Sequence, residues 1–259
     1  MMTKCAAVCA VLFAGTLIPN ATRSRGPTFN KSEVPALSPS SMGAAPIPES
    51  APRKRNSIQR TKPSSGEIRE AEWKLFDLGY WIGSIRGVID EPFRHALIAF
   101  QKIEGRPRTG RLTADELDAL RAAKRPAPCE TGPFHVEIDL ARQVLMMVDD
   151  GGKVTRVLPV STGNGEWFTT DDGYTQRAVT PAGRFKIYRR ISGWRKSELG
   201  LMYYPNYILG GIAIHGSKSV PAYPASHGCI RIPMYAAEEF SEVTPIGTPV
   251  IVYGEEPQP

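Results

Sequence analysis

The chain has 259 residues, 41% of them hydrophobic, and a formal net charge of +6 from 32 basic and 26 acidic side chains. That is an ordinary globular share, with room for two modest domains. The charge excess is local: Thr22 to Lys62 carries Arg23, Arg25, Lys31, Arg53, Lys54, Arg55, Arg60 and Lys62 against only Glu33 and Glu49. Everything after it is close to neutral, which excludes a basic folded face for nucleic acid.

At the N-terminus, "MMTK" is short and basic, Cys5 to Ile18 is an unbroken apolar and small run, and Ala21 offers a small residue before polar "TRSRG". That order is the order of a secretory signal. A spanning helix takes about 20 apolar residues, more than this run supplies. Residues 1–21 are therefore expected to be a cleaved signal peptide and the mature protein to work in the periplasm. Cys5 and Cys9 leave with the signal, so Cys129 and Cys229 remain. A bond between those two would consume Cys229 as a thiol, and Cys129 is expected to be a buried or half-buried thiol instead. Residues 22–66, as in "PALSPSSMGAAPIPESAPRKR", keep no apolar period and read as a disordered Pro/Ser-rich basic linker.

From Glu67 the pattern becomes helical. Ile68, Ala71, Leu75 and Leu78 recur at helical spacing up to Gly79. Ala96, Ile98, Ala99, Phe100 and Ile103 repeat the device up to Gly105. Thr113 with Glu116 three residues later reads as a capping box opening a third helix. Residues 67–125 are thus expected to form a small all-α, three-helix N-terminal domain, with His95 as a surface or packing residue.

The stretch Leu75 to Leu120 resembles the peptidoglycan-binding domain type 1 family. Leu78-Gly79-Tyr80 stands where that family has its leucine-Gly-Tyr turn, Ala96 to Gln101 matches its Ala-x-x-x-Phe-Gln helix, and Gly110 to Thr113 matches its Gly-x-x-Thr step. Arg86 before Gly87 departs from the acidic or amide residue usual there. Most of the matching residues are core or turn, so a helical spacer without a ligand is the plainer alternative.

After "AAKRPAPCETG" the helical period gives way to alternation. Val136, Ile138 and Leu140, then Val144 to Val148, then Val154 to Val160 read as strands separated by turns. "GRFKIYRRI", "GIAIHG" and "GTPVIVYG" add three more, and "PMYAAEEFSEV" reads as one helix with Pro233 at an early position. Residues 126–254 are expected to be a mainly β domain, a sandwich or curled sheet with one helix, and 255–259 a tail. His135, at a strand start, is expected to be structural.

Chemistry gathers in "AIHGS" and "PASHGCIRIP". Two of the four histidines, His215 and His227, lie within fourteen residues of Cys229. A thiol becomes a good nucleophile beside a base or cation. Gly228 permits a tight turn that leaves amide N–H groups facing a ligand, as an oxyanion needs. Three readings stand at this point: an inert cysteine in a glycine turn, a zinc site from His215, His227 and Cys229 at a spacing unlike common ones, and a Cys–His nucleophile.

Ile214 to Arg231, "IHGSKSVPAYPASHGCIR", resembles the signature of the L,D-transpeptidase catalytic domain. The likeness extends to "STG" at Ser161 to Gly163 and "TPAGRFKI" at Thr180 to Ile187. It implies that Cys229 is the nucleophile, His215 its base, and the Gly216 carbonyl the group that orients the imidazole. It implies further that His227 holds the loop beside Ser226, that the Gly228 and Cys229 N–H groups form an oxyanion hole, and that Arg231 pairs with a substrate carboxylate. A loop-stapling role is the alternative for Arg231.

The activity so implied cuts a peptidoglycan tetrapeptide stem at its third residue, releases D-alanine through a Cys229 thioester, and passes the acyl group to an amine. Water or an amine on an outer-membrane protein are alternative acceptors, and a non-catalytic wall-binding protein is the alternative to an enzyme. No cofactor or metal is expected, and carbapenems are expected as covalent inhibitors. Asn164 to Val179 reads as an insertion partly covering the cleft, with Trp167 on the substrate side. Trp194, Tyr203 and Tyr204 are expected to line the donor groove.

Overall fold

The computed structural model describes residues 62–255, so the signal-peptide and linker readings over 1–61, and all but the first residue of the tail, lie outside the described residues. Three helices come first: α1 (Ser65–Asp77), α2 (Glu91–Ile103) and α3 (Ala114–Ala122). Each has a side-chain N-cap. Ser64 and Glu67 make a reciprocal capping box on α1. Asp90 accepts the Phe93 N–H at 3.0 Å on α2, where Pro92 sits in the first turn. Thr113 accepts the Glu116 N–H at 3.2 Å on α3, but the expected box is only half made. The Glu116 carboxylate accepts from Arg106 at 3.1 Å instead of returning to its own cap.

The β domain then runs β1 (His135–Asp139), β2 (Val144–Val148), β3 (Val154–Pro159), β4 (Trp167–Thr169), β5 (Thr175–Arg177) and β6 (Gly183–Lys186). It continues through β7 (Arg189–Arg190), β8 (Trp194–Ser197), β9 (Gly200–Leu209), β10 (Ile212–Ser217), β11 (Ile230–Pro233), α4 (Met234–Val243) and β12 (Pro249–Tyr253). Two sheets face each other. One has the order β3-β2-β1-β12-β6, the other β11-β10-β9-β7 with β8 on the edge of β9, and β4 and β5 form a separate hairpin. The expected sandwich is present. "GRFKIYRRI" is not one strand, however: β6 belongs to the first sheet and β7 to the second, so the chain changes sheets at Ile187.

Strands β1 and β2 of the first sheet are buried on both faces. Val136, Ile138, Leu145, Met147, Leu158, Val250 and Val252 meet Ile208, Ile214, Ile230, Ile232 and α4 residues Ala237 and Phe240 inside the sandwich. Val144, Met146, Val148, Val154 and Val157 share the opposite face with Leu75, Phe93, Leu97, Phe100 and Leu120 of the helices. A strand buried on both faces needs no alternation, which is why "VLMMV" is apolar throughout. The helices are therefore not an independent bundle with a thin core. They complete their core on the sheet, and the helical and β segments form one compact unit. Backbone bonds seal the seam: Trp81 N–H to the Val157 carbonyl at 2.9 Å, and Val157 N–H to the Gly79 carbonyl at 2.8 Å.

Candidate active site

β10 and β11 run parallel, with Ile214 opposite Ile230 and His215 opposite Arg231. Successive side chains of a strand point to opposite faces. Ile214, Ile230 and Ile232 point into the sandwich, so His215 and Arg231 share the other face. Cys229, just before β11, falls on that same face and packs beside Ala213. His215 and Cys229 are thus diagonal neighbours across adjacent strands, the separation at which long side chains still meet. Both line one open cleft of about 520 Å³, together with Ser226, His227 and Arg231. That volume suits a small peptide ligand.

His215 is 5% exposed. Its Nδ1 lies 2.9 Å from the Gly216 carbonyl oxygen. A carbonyl can only accept, so Nδ1 carries the hydrogen and the neutral ring keeps its lone pair on Nε2. Burial drives the imidazole pKa down to about 4, with the Arg231 charge adding to that and the Gly216 carbonyl opposing it. The same burial pushes the Cys229 thiol above its ordinary value, against smaller opposing effects of the Ala213 N–H and Arg231. Both shifts favour the neutral pair at rest rather than a preformed thiolate and imidazolium. The sulfur itself sits 3.7 Å from the Gly211 carbonyl.

The turn before Cys229 is fixed by Ser226 more than by His227. Ser226 Oγ donates to the Cys229 carbonyl at 2.6 Å and accepts the Gly228 N–H at 3.0 Å. The expected oxyanion donor at Gly228 is therefore engaged here, which leaves the Cys229 amide as the candidate. Gly228 itself takes φ +128°, and a Cβ there would meet the Val179 carbonyl at 2.8 Å. A side chain at Gly216 would collide with Ala237 of α4 at 2.7 Å, so the residue that orients His215 must be glycine for packing reasons as well. His227 is exposed and sets its ring against Phe168, with centroids 4.7 Å apart. Among the described residues it makes no hydrogen bond, so the loop-holding role expected of it falls to Ser226. Nor are the three residues of the zinc reading gathered, and among the described residues no three His, Cys, Asp or Glu side chains converge as metal ligands.

Arg231 lines the cleft and its backbone exchanges hydrogen bonds with Ser161 at 3.0 and 3.1 Å. Its guanidinium has no carboxylate or carbonyl partner among the described residues, so it does not staple the loop. Two substrate-side expectations shift. Tyr203 and Tyr204 do not line the cleft: Tyr204 donates to Glu238 of α4 at 2.5 Å, and Tyr203 packs against it with centroids 4.7 Å apart. Trp167 is 69% exposed and points away, while Phe168, one position on, faces the cleft with Gln176 and Arg177 across the hairpin. Trp194 does line it, with Lys218 Nζ 5.9 Å from its ring.

Cys229 is a free thiol, so it is not joined to Cys129. Thr180 was not singled out by sequence reasoning, although it lies in the matching "TPAGRFKI". Its hydroxyl donates to the Gly228 carbonyl at 2.7 Å and accepts the Gly163 N–H at 2.9 Å, tying the hairpin base to the reactive turn.

A two-sheet domain with a cysteine and a carbonyl-held histidine on neighbouring parallel strands defines a class of acyl-transfer enzyme. The family model of the L,D-transpeptidase catalytic domain matches residues 133–252, and that of a peptidoglycan binding domain matches residues 64–120. The L,D-transpeptidase of Xylanimonas cellulosilytica is 38% identical with a TM-score of 0.70, over 81% of this chain and 100% of that one. An L,D-transpeptidase of Stackebrandtia nassauensis is 23% identical with a TM-score of 0.44, over 73% of this chain and 92% of that one, a likeness too low to carry weight. No curated protein matches. The chain belongs to the L,D-transpeptidase family, with a peptidoglycan-binding domain ahead of the catalytic one.

Proposed function

We propose that the chain cross-links peptidoglycan stems through a thioester on Cys229. The observation that carries this is the His215–Cys229 pair on one face of one cleft, with His215 held by Gly216 in the tautomer that leaves Nε2 basic. Nε2 takes the thiol proton as sulfur attacks the carbonyl of the third stem residue. The carbonyl carbon gains a C–S bond and loses its bond to the nitrogen of the terminal D-alanine, which departs with the proton from the imidazolium. An acceptor amine then attacks the thioester, forming the new amide and returning the proton to sulfur. No external energy source is needed, because one amide is exchanged for another.

The resting neutral pair supports proton transfer concerted with attack, not storage of a thiolate. Arg231 pairs with a stem carboxylate, and the Cys229 N–H donates to the oxyanion. The β4–β5 hairpin limits water at the thioester, which favours transfer over hydrolysis. The protein works in the periplasm after removal of residues 1–21, with its helical domain on the wall. Incubation with a disaccharide-tetrapeptide, followed by mass spectrometry, tests the reading. Loss of D-alanine with a cross-linked product supports it, whereas a trimmed stem alone identifies a carboxypeptidase, and an adduct with an outer-membrane protein amine identifies an anchoring enzyme. An unreacted stem together with no carbapenem adduct on Cys229 would leave a wall-binding protein.

A further inference from the structure

Lys102, in the last turn of α2, is 2% exposed, and burial pulls its amine pKa down to about 7. Its Nζ crosses from the helical domain and donates to two carbonyls of the β domain, Gln143 at 2.9 Å and Val160 at 2.8 Å. No carboxylate bonds to it among the described residues. Burying an amine there without a counter-ion costs stability, which its two carbonyl bonds offset only in part. What Lys102 holds explains its presence better than stability does.

Gln143 is a junction. It occupies φ 62°, a left-handed conformation that a non-glycine residue adopts rarely. Its carbonyl also accepts the Val160 N–H at 2.9 Å. Its side chain donates to Leu140 O and Thr162 Oγ1, each at 2.7 Å, and accepts the Thr162 N–H at 3.0 Å. The segment just after Val160 then supports the reactive turn along its length. The Thr162 carbonyl accepts the Ala225 and Ser226 N–H groups at 3.0 and 2.9 Å, Ser161 exchanges both backbone bonds with Arg231, and the Asn164 N–H reaches the Ser226 carbonyl at 3.1 Å. Ser161 Oγ donates to the Tyr223 carbonyl at 2.8 Å. A second strut leaves the helical domain directly, where Arg108 donates to the Ala222 carbonyl at 2.9 Å.

We infer that Lys102 is a positioning residue for the Ser226–Arg231 segment, acting through Gln143 and the Val160–Gly163 strand extension, and that the helical domain thereby sets the geometry of the reactive cysteine. This goes beyond anchoring to the wall: the helices form part of the catalytic scaffold. The kinetic part of the inference rests on the proposed transpeptidation, whereas the structural part does not.

The test uses the full chain with Lys102→Met, which keeps the length of the side chain and removes both bonds. Amide hydrogen exchange at Thr162, Gly163 and Ser226 to Arg231 is expected to quicken about tenfold relative to the rest of the chain, while the melting temperature falls modestly because the Val160 carbonyl loses its donor. The kcat for stem transfer is expected to fall at least tenfold with KM within about twofold, since small misplacement of reacting groups is costly. A purely structural lysine would instead quicken exchange evenly throughout the chain and leave kcat within about twofold. That outcome, or unchanged exchange at those amides, overturns the inference. A wild-type chain inert toward stems would overturn the proposed reaction and leave the exchange result to decide on Lys102. Should Lys102→Met fail to fold, Arg108→Ala removes only an exposed side chain and is expected to quicken exchange at Ala225 and Ser226 about threefold. No change there would also refute it. Arg121→Ala, which breaks the surface pair with Glu70 in the same domain, is expected to leave exchange at the turn and kcat as in wild type.

Discussion

The β10–β11 pair and the β4–β5 hairpin face each other across the cleft and are built on opposite terms. On the first, Ile214, Ile230 and Ile232 are fully buried, and the turn leading into β11 is bonded through Ser226, Thr162 and Thr180. On the second, Phe168 is half-buried and the other five strand residues are exposed. Proton transfer tolerates little positional error, so the pair proposed to react belongs on the buried element. A substrate must enter and leave, so the covering element can be thin and weakly packed. Under the proposed mechanism the comparison makes a division of labour: the scaffold pair governs the chemical step, and the hairpin governs binding and the fate of the thioester.

The largest effect should come from the sulfur. Cys229→Ala is expected to lower acyl transfer by about a thousandfold or more, because no other group on that face can form the covalent intermediate. The melting temperature is expected to change little, since Cys229 is only half-buried. Residual transfer near the wild-type rate would end the scaffold side of the comparison. His215→Gln is expected to cost about a hundred- to ten-thousandfold in kcat, the usual range for a general base.

The pH profile sharpens the same point. With the His215 pKa lowered to about 4, the basic imidazole persists well below the value of about 6.5 usual for histidine. Activity is expected to hold down to about pH 5 and to fall as the ring protonates near pH 4. Below about pH 6.5 an unfolded chain would protonate this histidine while the folded one would not. Its burial therefore subtracts stability progressively between about pH 6.5 and pH 4. A rate that dropped with a midpoint near 6.5 would mean that the imidazole is not buried as described. Next in size is Arg231→Met, expected to raise KM for stems about ten- to a hundredfold with a smaller change in kcat. Among the described residues the side chain has no hydrogen-bond or ion-pair partner, and the backbone bonds to Ser161 remain in the variant.

The two regions were also unequally legible in the sequence. Cys229, His215 and Gly216 lie in short contiguous stretches whose residue types are themselves the chemistry, so their identity survives without coordinates. The sandwich and three helices were readable from apolar period and caps. Much of what supports the site was not. The longest strand, β9, contains Pro205, which argues against a strand in linear reading yet is accommodated where its neighbours pair. Lys102 and Gln143 read as ordinary polar residues of a helix and a turn, because a hydrogen bond spanning 41 positions leaves no local signal. Tyr203 and Tyr204 were misplaced for a related reason: aromatic residues in a strand belong to a groove or to a core, and only the position of α4 decides between them. The docking of the helices on the first sheet was likewise hidden, although the unbroken apolar run of "VLMMV" was a trace of it.

The smallest predicted effect discriminates best, because it turns on one step of strand alternation. Trp167 and Phe168 are adjacent aromatic residues in the hairpin, and size alone would favour the tryptophan as the substrate contact. The register pairs Phe168 with Gln176 and turns it toward His227 and the cleft, while Trp167 is left largely in solvent. Aromatic contacts of this kind contribute roughly 0.5–1.5 kcal/mol, or about two- to tenfold in a rate or binding constant. Phe168→Ala is therefore expected to raise KM for stems about two- to tenfold and to shift the product ratio from cross-link toward hydrolysis, with Cys229 acylation by a small electrophile little changed. Trp167→Ala is expected to stay within about twofold on every measure. Measuring both product ratios with the same stem decides it: the reverse ranking would mean that the hairpin presents its other face when substrate is bound, and equal effects would mean that it contributes coverage without a specific contact.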